Sequence, residues 1–305
     1  PGEPFASYFS GNTVQICPVG ALTATPYRFK ARPGDLEAVE SVSMVESVGS
    51  RVSVQSSQNT VVRIDGVDNE PTNQGWLSDK DRFIFESIHS QERVTTPLIR
   101  EGEDLREASW GEALDLVADR LASFQGEQVA GLGGANGTNE EAYALGKFLR
   151  TIVVTPHIDA QLDDGLDPEF LVGMTPRATI ADLESAKTVL LWAADLKEEY
   201  PVLYLRVRRA AAELGANLIV VHPRRTGLDD VATHKVRYRP GAGPDVLREI
   251  ATDEQYDEIR TALGEGPVVA IVGRTGIGED PRLAEAVAAF ARELPGGKIM
   301  PLARR

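Results

Sequence analysis

The chain has 305 residues, of which 42% are hydrophobic, and a formal net charge of −14. This length is enough for one large core or two smaller ones. A strongly acidic surface repels phosphate backbones, so we expect no nucleic-acid partner. No apolar run reaches the roughly 18 residues needed to span a bilayer, so we expect no direct membrane insertion. The single cysteine, Cys17, cannot form an internal disulfide.

The first third of the chain is predicted to contain two small parts. Residues 1–38 are rich in turn formers and predict a small loop-rich unit. Residues 39–95 contain two β-rich runs, at 51–55 and 60–64, which predict a hairpin within a small β-rich subdomain. The chain begins at residues 1–4 with neither an initiator Met nor a signal-peptide pattern, so we interpret it as cut from a longer polypeptide.

Residues 96–305 alternate between short apolar runs and longer helical segments. The sequences SWGE at 109–112 and TNEE at 138–141 are capping boxes that predict the starts of two helices, which are expected to run to about residues 124 and 153. A strand that ends in a glycine turn is predicted over 129–134. Further strands are predicted over 188–194, 217–222, 235–239 and 267–273, and further helices over 201–214, 253–263 and 281–294. This alternation predicts an α/β fold with a doubly wound, mostly parallel sheet.

Cys17 is the residue with the clearest metal chemistry. Iron–sulfur ligands are thiolates, and a cysteine followed by proline ends many cluster-binding runs. Pro18 fixes the turn, and Gly20 lets backbone amides approach the sulfur. From these residues alone two interpretations stay open: a cluster ligand whose partners lie elsewhere, and a small buried thiol.

Four other residues have the spacing of an iron–sulfur motif without its cysteines. They are separated by two, three and 27 residues, and they are Ser43, Glu46, Ser50 and Ser78. Serine and glutamate supply hard oxygen ligands, which match a sulfide cluster poorly. A metal held by these oxygens is one interpretation. The side-chain chemistry favours the other, a turn region that has kept its fold without a cluster.

Two glycine-rich turns, at 131–134 and 273–278, follow predicted strands, where α/β proteins often bind phosphate groups. Neither fits a dinucleotide fingerprint or a P-loop, so ordinary strand–helix turns are the preferred interpretation. The sequence HPRR at 222–225 also follows a strand. Its arginines could bind a phosphate or an acidic partner, and ion-paired or solvated arginines fit equally well.

Residues 8–23 (YFSGNTVQICPVGALT) and 27–33 (YRFKARP) closely resemble the family of the large iron–sulfur subunit, the G-type subunit, of NADH–quinone oxidoreductase (respiratory complex I). The resemblance continues through GWLSDKDRF at 75–83 and RVTTPL at 93–98, which are similar to the start of a molybdopterin-oxidoreductase-like domain. TNEEAY at 138–143 also resembles the wider molybdopterin family.

The resemblance implies a domain order and a cofactor. Residues 1–38 would be the C-terminal end of the iron–sulfur domain, 39–95 the small β-rich subdomain, and 96–305 the molybdopterin-oxidoreductase-like α/β domain. Cys17 matches the last ligand of a [4Fe–4S] cluster whose other ligands lie outside this chain. Some members hold a further [4Fe–4S] cluster through four cysteines, at the positions occupied here by Ser43, Glu46, Ser50 and Ser78. That cluster is therefore expected to be lost.

Catalytic molybdopterin enzymes carry a Cys, selenocysteine or Ser metal ligand shortly after the segment that TNEEAY resembles. Residues 158–166 (IDAQLDDGL) contain none of these, so the resemblance implies no molybdopterin and no independent catalytic site. It implies instead an electron-relay and scaffold subunit of the NADH:quinone oxidoreductase translocase, which passes electrons from NADH oxidation toward quinone.

The implied partners are the other hydrophilic-arm subunits of complex I. The implied location is peripheral, on the cytoplasmic face of the bacterial inner membrane or on the matrix side in mitochondria. Two alternatives stay open. The chain could belong to a catalytic molybdopterin oxidoreductase, or it could be a purely structural interaction domain with no redox role.

Overall fold

The computed structural model describes residues 7–134, 137–160 and 166–303. The start of the chain and residues 161–165 of the IDAQLDDGL stretch, both interpreted above from sequence, lie outside the described residues.

Contacts divide the chain into two compact units. Unit 1 comprises residues 1–85 and 163–305, and unit 2 comprises residues 86–162. The domain limits expected at residues 38 and 95 stay predictions.

Helices and strands are numbered in chain order. The helices are α1 (Ser10–Ile16), α2 (Asp79–Phe83), α3 (Trp110–Ala122), α4 (Asn139–Phe148), α5 (Pro168–Gly173), α6 (Leu196–Glu199), α7 (Pro201–Ala212), α8 (Gly243–Thr252), α9 (Asp257–Gly264) and α10 (Pro281–Arg292). The strands are β1 (Glu37–Val42), β2 (Arg51–Ser57), β3 (Thr60–Gly66), β4 (Leu98–Glu101), β5 (Asp104–Glu107), β6 (Ala130–Leu132), β7 (His157–Asp159), β8 (Thr188–Trp192), β9 (Asn217–Val221), β10 (His234–Val236), β11 (Val268–Gly273) and β12 (Lys298–Leu302).

A parallel sheet with the strand order β10-β9-β8-β11-β12 lies at the centre of unit 1. In its middle strand, Leu190 lies opposite Ile219 of β9 and Ala270 of β11. The strand order reverses between β8 and β11, as it does in doubly wound folds. The predicted doubly wound parallel sheet is confirmed.

Both faces of this sheet are buried, which explains why its strands are continuous apolar runs in the sequence. Successive side chains of a strand point to opposite faces. Accordingly, Val189 and Leu191 belong to the buried cluster that contains Leu203 of α7. Leu190 belongs to the cluster on the other face, which contains Val287 of α10.

An antiparallel sheet of β1, β2 and β3 forms the smaller part of unit 1. The predicted hairpin is confirmed as β2–β3, and its turn residues Gln58 and Asn59 both have positive φ. The small core on this sheet consists of Val52, Ile64, Leu77 and Phe85.

Unit 2 contains α3, α4, the antiparallel pair β4–β5 and the parallel pair β6–β7. Both predicted helix starts are confirmed. At α4, Thr138 and Glu141 form the full reciprocal capping box. At α3, Ser109 accepts the Glu112 amide at 3.2 Å, but the Glu112 carboxylate pairs with Arg106 instead of returning to the backbone.

Some predicted bounds were wrong. The helix predicted to reach about residue 153 ends at Phe148 and continues as a π-helical turn at Leu149–Val153. The helix predicted over 253–263 is a 3-10 turn at Glu254–Tyr256 followed by α9. Within the part of the chain that the structure describes, no helix is long and apolar enough to cross a bilayer.

Candidate functional site

Cys17 lies directly after α1, where its backbone amide donates to the Val14 carbonyl at 3.2 Å. The loop that follows contains Gly20 at a φ of 65°, a left-handed conformation that glycine adopts without steric cost. The backbone amide of Leu22, and after it that of Val19, bonds to the sulfur and lowers the pKa of the Cys17 thiol. The half-buried thiol is therefore held in surroundings that favour the thiolate, the form that binds iron.

The carboxylate of Asp79 fixes the amino end of α1. Its Oδ2 accepts the Ser10 amide at 2.9 Å, and its Oδ1 accepts the Gly11 amide at 2.8 Å. The Ser10 hydroxyl also donates to this carboxylate. The first amides of a helix have no partner within the helix, so Asp79 satisfies two of them.

Two amide side chains of α1 pair with backbone groups in both directions. Asn12 donates to the Leu77 carbonyl at 2.7 Å and accepts the Leu77 amide at 3.0 Å. Gln15 donates to the Gly66 carbonyl at 2.8 Å and accepts the Gly66 amide at 2.9 Å. Each pair uses the donor and the acceptor of one side chain, so it fixes that side chain's orientation. The helix therefore holds Cys17 at a defined place beside β3.

Arg82 completes the attachment of α1. Its side chain is 5% exposed and donates to Asp65 at 2.9 Å. The same guanidinium donates to Gln15 at 2.8 Å, to Asn12 at 3.2 Å and to the Ile64 carbonyl at 3.3 Å. Burial lowers the pKa of Arg82, although the charge of Asp65 opposes this shift.

A cleft of about 490 Å³ opens beside Cys17. Its lining combines apolar and cationic side chains, including Leu22, Tyr27, Arg28, Arg63 and Arg82. The Arg63 guanidinium lies 4.7 Å from the centre of the Tyr27 ring and pairs with Asp65 at 3.0 Å. A cationic lining in a chain of net charge −14 favours an anionic occupant, and a cluster bound by thiolates is anionic.

The structure brings the four oxygen-bearing motif positions together. The hydroxyls of Ser43 and Ser78 donate to the two oxygens of Asp81, at 2.5 and 2.7 Å. The Ser50 hydroxyl donates to Glu46 at 2.6 Å. The two groups are joined because the Ser43 amide donates to the Ser50 carbonyl at 2.8 Å. Asp81 was missed in the sequence, although the spacing Ser78-x-x-Asp81 is itself a helix-capping signal.

Glu46 joins this cluster to the parallel-sheet part of unit 1. Its second oxygen accepts the amide of Val202, in the first turn of α7, at 2.9 Å. The residue is 3% exposed. The pKa of Glu46 is raised to about 7, mainly by burial and also by the nearby charge of Asp81, while the hydrogen bonds from Ser50 and Val202 oppose the shift.

These side chains do not fit an iron–sulfur cluster. They offer oxygen atoms, and those atoms are already hydrogen-bonded to one another. Among the described residues, no group of three or more His, Cys, Asp or Glu side chains could hold a metal ion. The loss of a cluster at Ser43, Glu46, Ser50 and Ser78 stays a prediction, and the chemistry of these residues supports it.

The carboxyl ends of β8 and β11 meet where the strand order reverses, which is the usual ligand site of doubly wound sheets. Here the Trp192 indole donates to the Tyr238 hydroxyl at 3.1 Å, and that hydroxyl donates to Glu279 at 2.9 Å. Thr275, from the glycine-rich turn, donates to the same carboxylate at 3.0 Å. Burial raises the pKa of Tyr238. At this edge of the sheet, the protein's own side chains are therefore hydrogen-bonded to one another.

The HPRR segment after β9 makes local contacts. The Nδ1 atom of His222 accepts the Arg224 amide at 3.1 Å, and burial lowers the pKa of His222. Arg225 pairs with Asp230 at 2.8 Å. The ion-paired interpretation is confirmed for Arg225.

Two family models match the chain. The one described as "Molybdopterin oxidoreductase" matches residues 93–255, more than half of the sequence. The chain belongs to the molybdopterin oxidoreductase family. The model described as "NADH-ubiquinone oxidoreductase NDSU1/NuoG-like, 4Fe-4S domain" matches residues 36–86. This second segment contains all four oxygen-bearing motif positions and no cysteine.

Several relatives of this molybdopterin oxidoreductase family member are named as G-type subunits of NADH-quinone oxidoreductase. The protein from Mycobacterium bovis is 36% identical over 309 residues, covering 96% of this chain and 38% of that protein. The one from Streptomyces coelicolor is 35% identical over 287 residues, covering 87% and 34%. The one from Rickettsia bellii is 32% identical over 265 residues, covering 87% and 38%. The resemblance to this subunit is confirmed, and the chain spans less than two fifths of these relatives' length.

A solved structure agrees with this membership at the level of the fold. The acetylene hydratase from Pelobacter acetylenicus matches with a TM-score of 0.50 and 15% sequence identity. The match covers 85% of this chain and 39% of that chain. At this identity the likeness concerns the fold alone.

Proposed function

We propose that this chain is part of an electron-relay and scaffold subunit of an NADH–quinone oxidoreductase, in which Cys17 is one thiolate ligand of a [4Fe–4S] cluster. The remaining ligands would come from polypeptide outside these 305 residues. The relatives from Mycobacterium bovis and Streptomyces coelicolor support the assignment to the complex. The observation that carries the assignment of Cys17 is its thiol, held on a fixed loop among backbone amides at a cationic cleft.

A bound cluster would supply one-electron transfer. The chain's own residues would hold it and adjust its potential. The backbone amide of Leu22 stabilises negative charge on the Cys17 sulfur, which favours the more negative, reduced state. The guanidinium groups of Arg63 and Arg82 at the cleft act in the same direction. The buried ring of Tyr27 keeps water from one wall.

The rest of the chain would support this relay. The α/β part would hold no molybdopterin and have no catalytic site of its own, and the oxygen-bearing positions would hold no cluster. The other hydrophilic-arm subunits would be its partners. The subunit would lie peripherally on the cytoplasmic face of the bacterial inner membrane, or on the matrix side in mitochondria.

The variant Cys17→Ala in the full-length subunit tests the assignment of Cys17. We expect one [4Fe–4S] signal to disappear from the electron paramagnetic resonance spectrum of the reduced protein, while the other signals stay. Thr25→Ala, an exposed substitution in the same loop region, is the matched control and should leave every signal unchanged. A complete set of signals in Cys17→Ala would contradict the proposal and would favour a purely structural domain.

Membership of the molybdopterin oxidoreductase family favours one second candidate, a catalytic relative that binds molybdenum or tungsten. Metal analysis of the full-length subunit separates the two. We expect iron without stoichiometric molybdenum or tungsten. One equivalent of either metal would support the catalytic candidate.

A further inference from the structure

The α6–α7 corner, at residues 196–204, contacts the two residues that lead into α1. The Tyr8 hydroxyl donates to the Glu198 carboxylate, whose two oxygens lie 2.9 and 3.1 Å away. The Phe9 ring stacks on the Tyr204 ring, with the ring centres 6.1 Å apart and the ring planes 5° from parallel. These two residues therefore attach the start of α1 to the parallel-sheet part of unit 1.

Two lysines lie against the Tyr8 ring. The ammonium nitrogen of Lys80 is 5.2 Å from the ring centre, and that of Lys197 is 5.0 Å from it. Cations at such distances are attracted to an aromatic ring. Lys80 also donates to the Glu198 carbonyl at 2.8 Å and pairs with the Glu198 carboxylate at 3.4 Å. The tyrosine is therefore held by two ammonium groups at its ring and by a carboxylate at its hydroxyl.

Gly227 leaves the space through which Lys197 reaches the Tyr8 ring. A Cβ atom at this glycine would lie 2.6 Å from Cβ and 2.7 Å from Cδ of Lys197. One oxygen of Asp195 accepts the Gly227 amide and the Lys197 amide, each at 3.2 Å. The loop after β9 and the start of α6 are thereby joined, and together they fix the direction of the Lys197 side chain.

The α6–α7 corner also contacts α2 and the loop between β1 and β2. Lys80, which bonds to the corner, is the neighbour of Asp79, whose carboxylate accepts the first amides of α1. Val202 of the corner donates its amide to Glu46 at 2.9 Å. The corner therefore acts on α1 directly, through the residues that precede this helix, and indirectly, through α2.

We infer that Tyr8 and Phe9 are positioning residues for the cluster ligand Cys17, through which the α6–α7 corner holds α1 and fixes the loop that follows it. The inference rests on the proposed function. The helix has seven residues and is therefore about 10 Å long, so a change of tilt at its start is carried to the thiol. The corner thereby keeps the amides of Leu22 and Val19 directed at the sulfur.

Leucine substitutions at the two positions test the inference in the full-length subunit, within the assembled complex. Tyr8→Leu and Phe9→Leu leave the formal charge unchanged, so a change at the cluster would not come from a lost charge. We expect both variants to shift the electron paramagnetic resonance g-values of the Cys17 cluster and to lower its reduction potential. The reason is that a loosened loop loses part of the amide hydrogen bonding that favours the reduced state.

Three further variants serve as controls. Tyr8→Phe keeps the ring against the two ammonium groups, so it should give a smaller shift than Tyr8→Leu. Tyr143→Leu, at a 71% exposed tyrosine of α4, should leave the g-values and the potential unchanged. Cys17→Ala identifies the relevant signal, because the signal that this variant loses is that of the cluster in question.

The outcomes separate this inference from the proposed function. If Cys17→Ala keeps every signal, the proposed function fails and the inference fails with it. If Cys17→Ala loses one signal and both leucine variants leave that signal unchanged, the inference alone is overturned. Loss of all cluster signals in the leucine variants would also overturn it, since the two residues would then stabilise the whole subunit. Loss of that one signal alone would support it, as the expected shift would.

Discussion

Replacing Arg82 with methionine in the full-length subunit should lower the free energy of unfolding by about 3 kcal/mol, because it removes the cation from a buried ion pair. The loss includes the hydrogen bonds from Arg82 to Asp65, Gln15 and the Ile64 carbonyl. Asp65 keeps Arg63 as a partner, so we expect a loss of stability at the lower end of the range for breaking a buried ion pair. Urea unfolding followed by circular dichroism measures the change.

Arg63→Met is the matched control, since both arginines pair with Asp65. The side chain of Arg63 is 31% exposed, and pairs of that exposure contribute less than about 1 kcal/mol. Arg82→Met should also reduce the occupancy of a cluster at Cys17, because it loosens α1. Equal effects of the two substitutions on stability would show that burial of Arg82 does not hold α1 in place.

The titration of Glu46 alone should make the folded protein less stable by about 3 kcal/mol as the pH rises from 4.5 to 7. Its pKa is 4.5 in the absence of the fold and about 7 in the structure. In this window the folded protein therefore keeps a proton that the unfolded chain has lost. The stabilisation is fully present below pH 4.5 and is lost as the pH rises through 7.

Glu46→Gln should remove this slope from the stability profile measured by urea unfolding across the same pH range. Ser50 and Val202 donate to different oxygens of Glu46, and glutamine has an NH2 group in place of one of them, so the two bonds cannot both keep their direction. We expect a loss of about 1 kcal/mol that does not vary with pH. Glu37→Gln, at an exposed carboxylate on β1, is the control and should keep the slope. A Glu46→Gln profile parallel to the unsubstituted one would contradict the role assigned to Glu46.

The parallel sheet could be predicted because each of its central strands can be identified from its own apolar residues. β8, β9 and β11 are short runs of buried apolar residues, and the helices that follow β8 and β11 have buried apolar faces. Helix α8 was not predicted, because the glycine–proline pair at its start, Gly243 and the residue after it, is typical of a turn. Proline in the first turn of a helix is in fact favourable, since the missing amide would have no partner there.

At the candidate site the sequence identified Cys17 but not the residues that hold its helix. Asp79 and Arg82 bond to α1 across separations of 67 to 70 residues, and no local pattern encodes such a contact. The short helix itself was missed for the same reason. It is stabilised by these distant partners more than by its own propensity.

Measuring the iron and acid-labile sulfide per polypeptide tests most directly whether Cys17 is a cluster ligand. In full-length subunit purified under anaerobic conditions, Cys17→Ala should contain one [4Fe–4S] equivalent less than the unsubstituted protein. Ser43→Ala, at a position where we propose no cluster, should contain the same amount as the unsubstituted protein. Equal iron and sulfide in Cys17→Ala and the unsubstituted protein would show that Cys17 is not a cluster ligand.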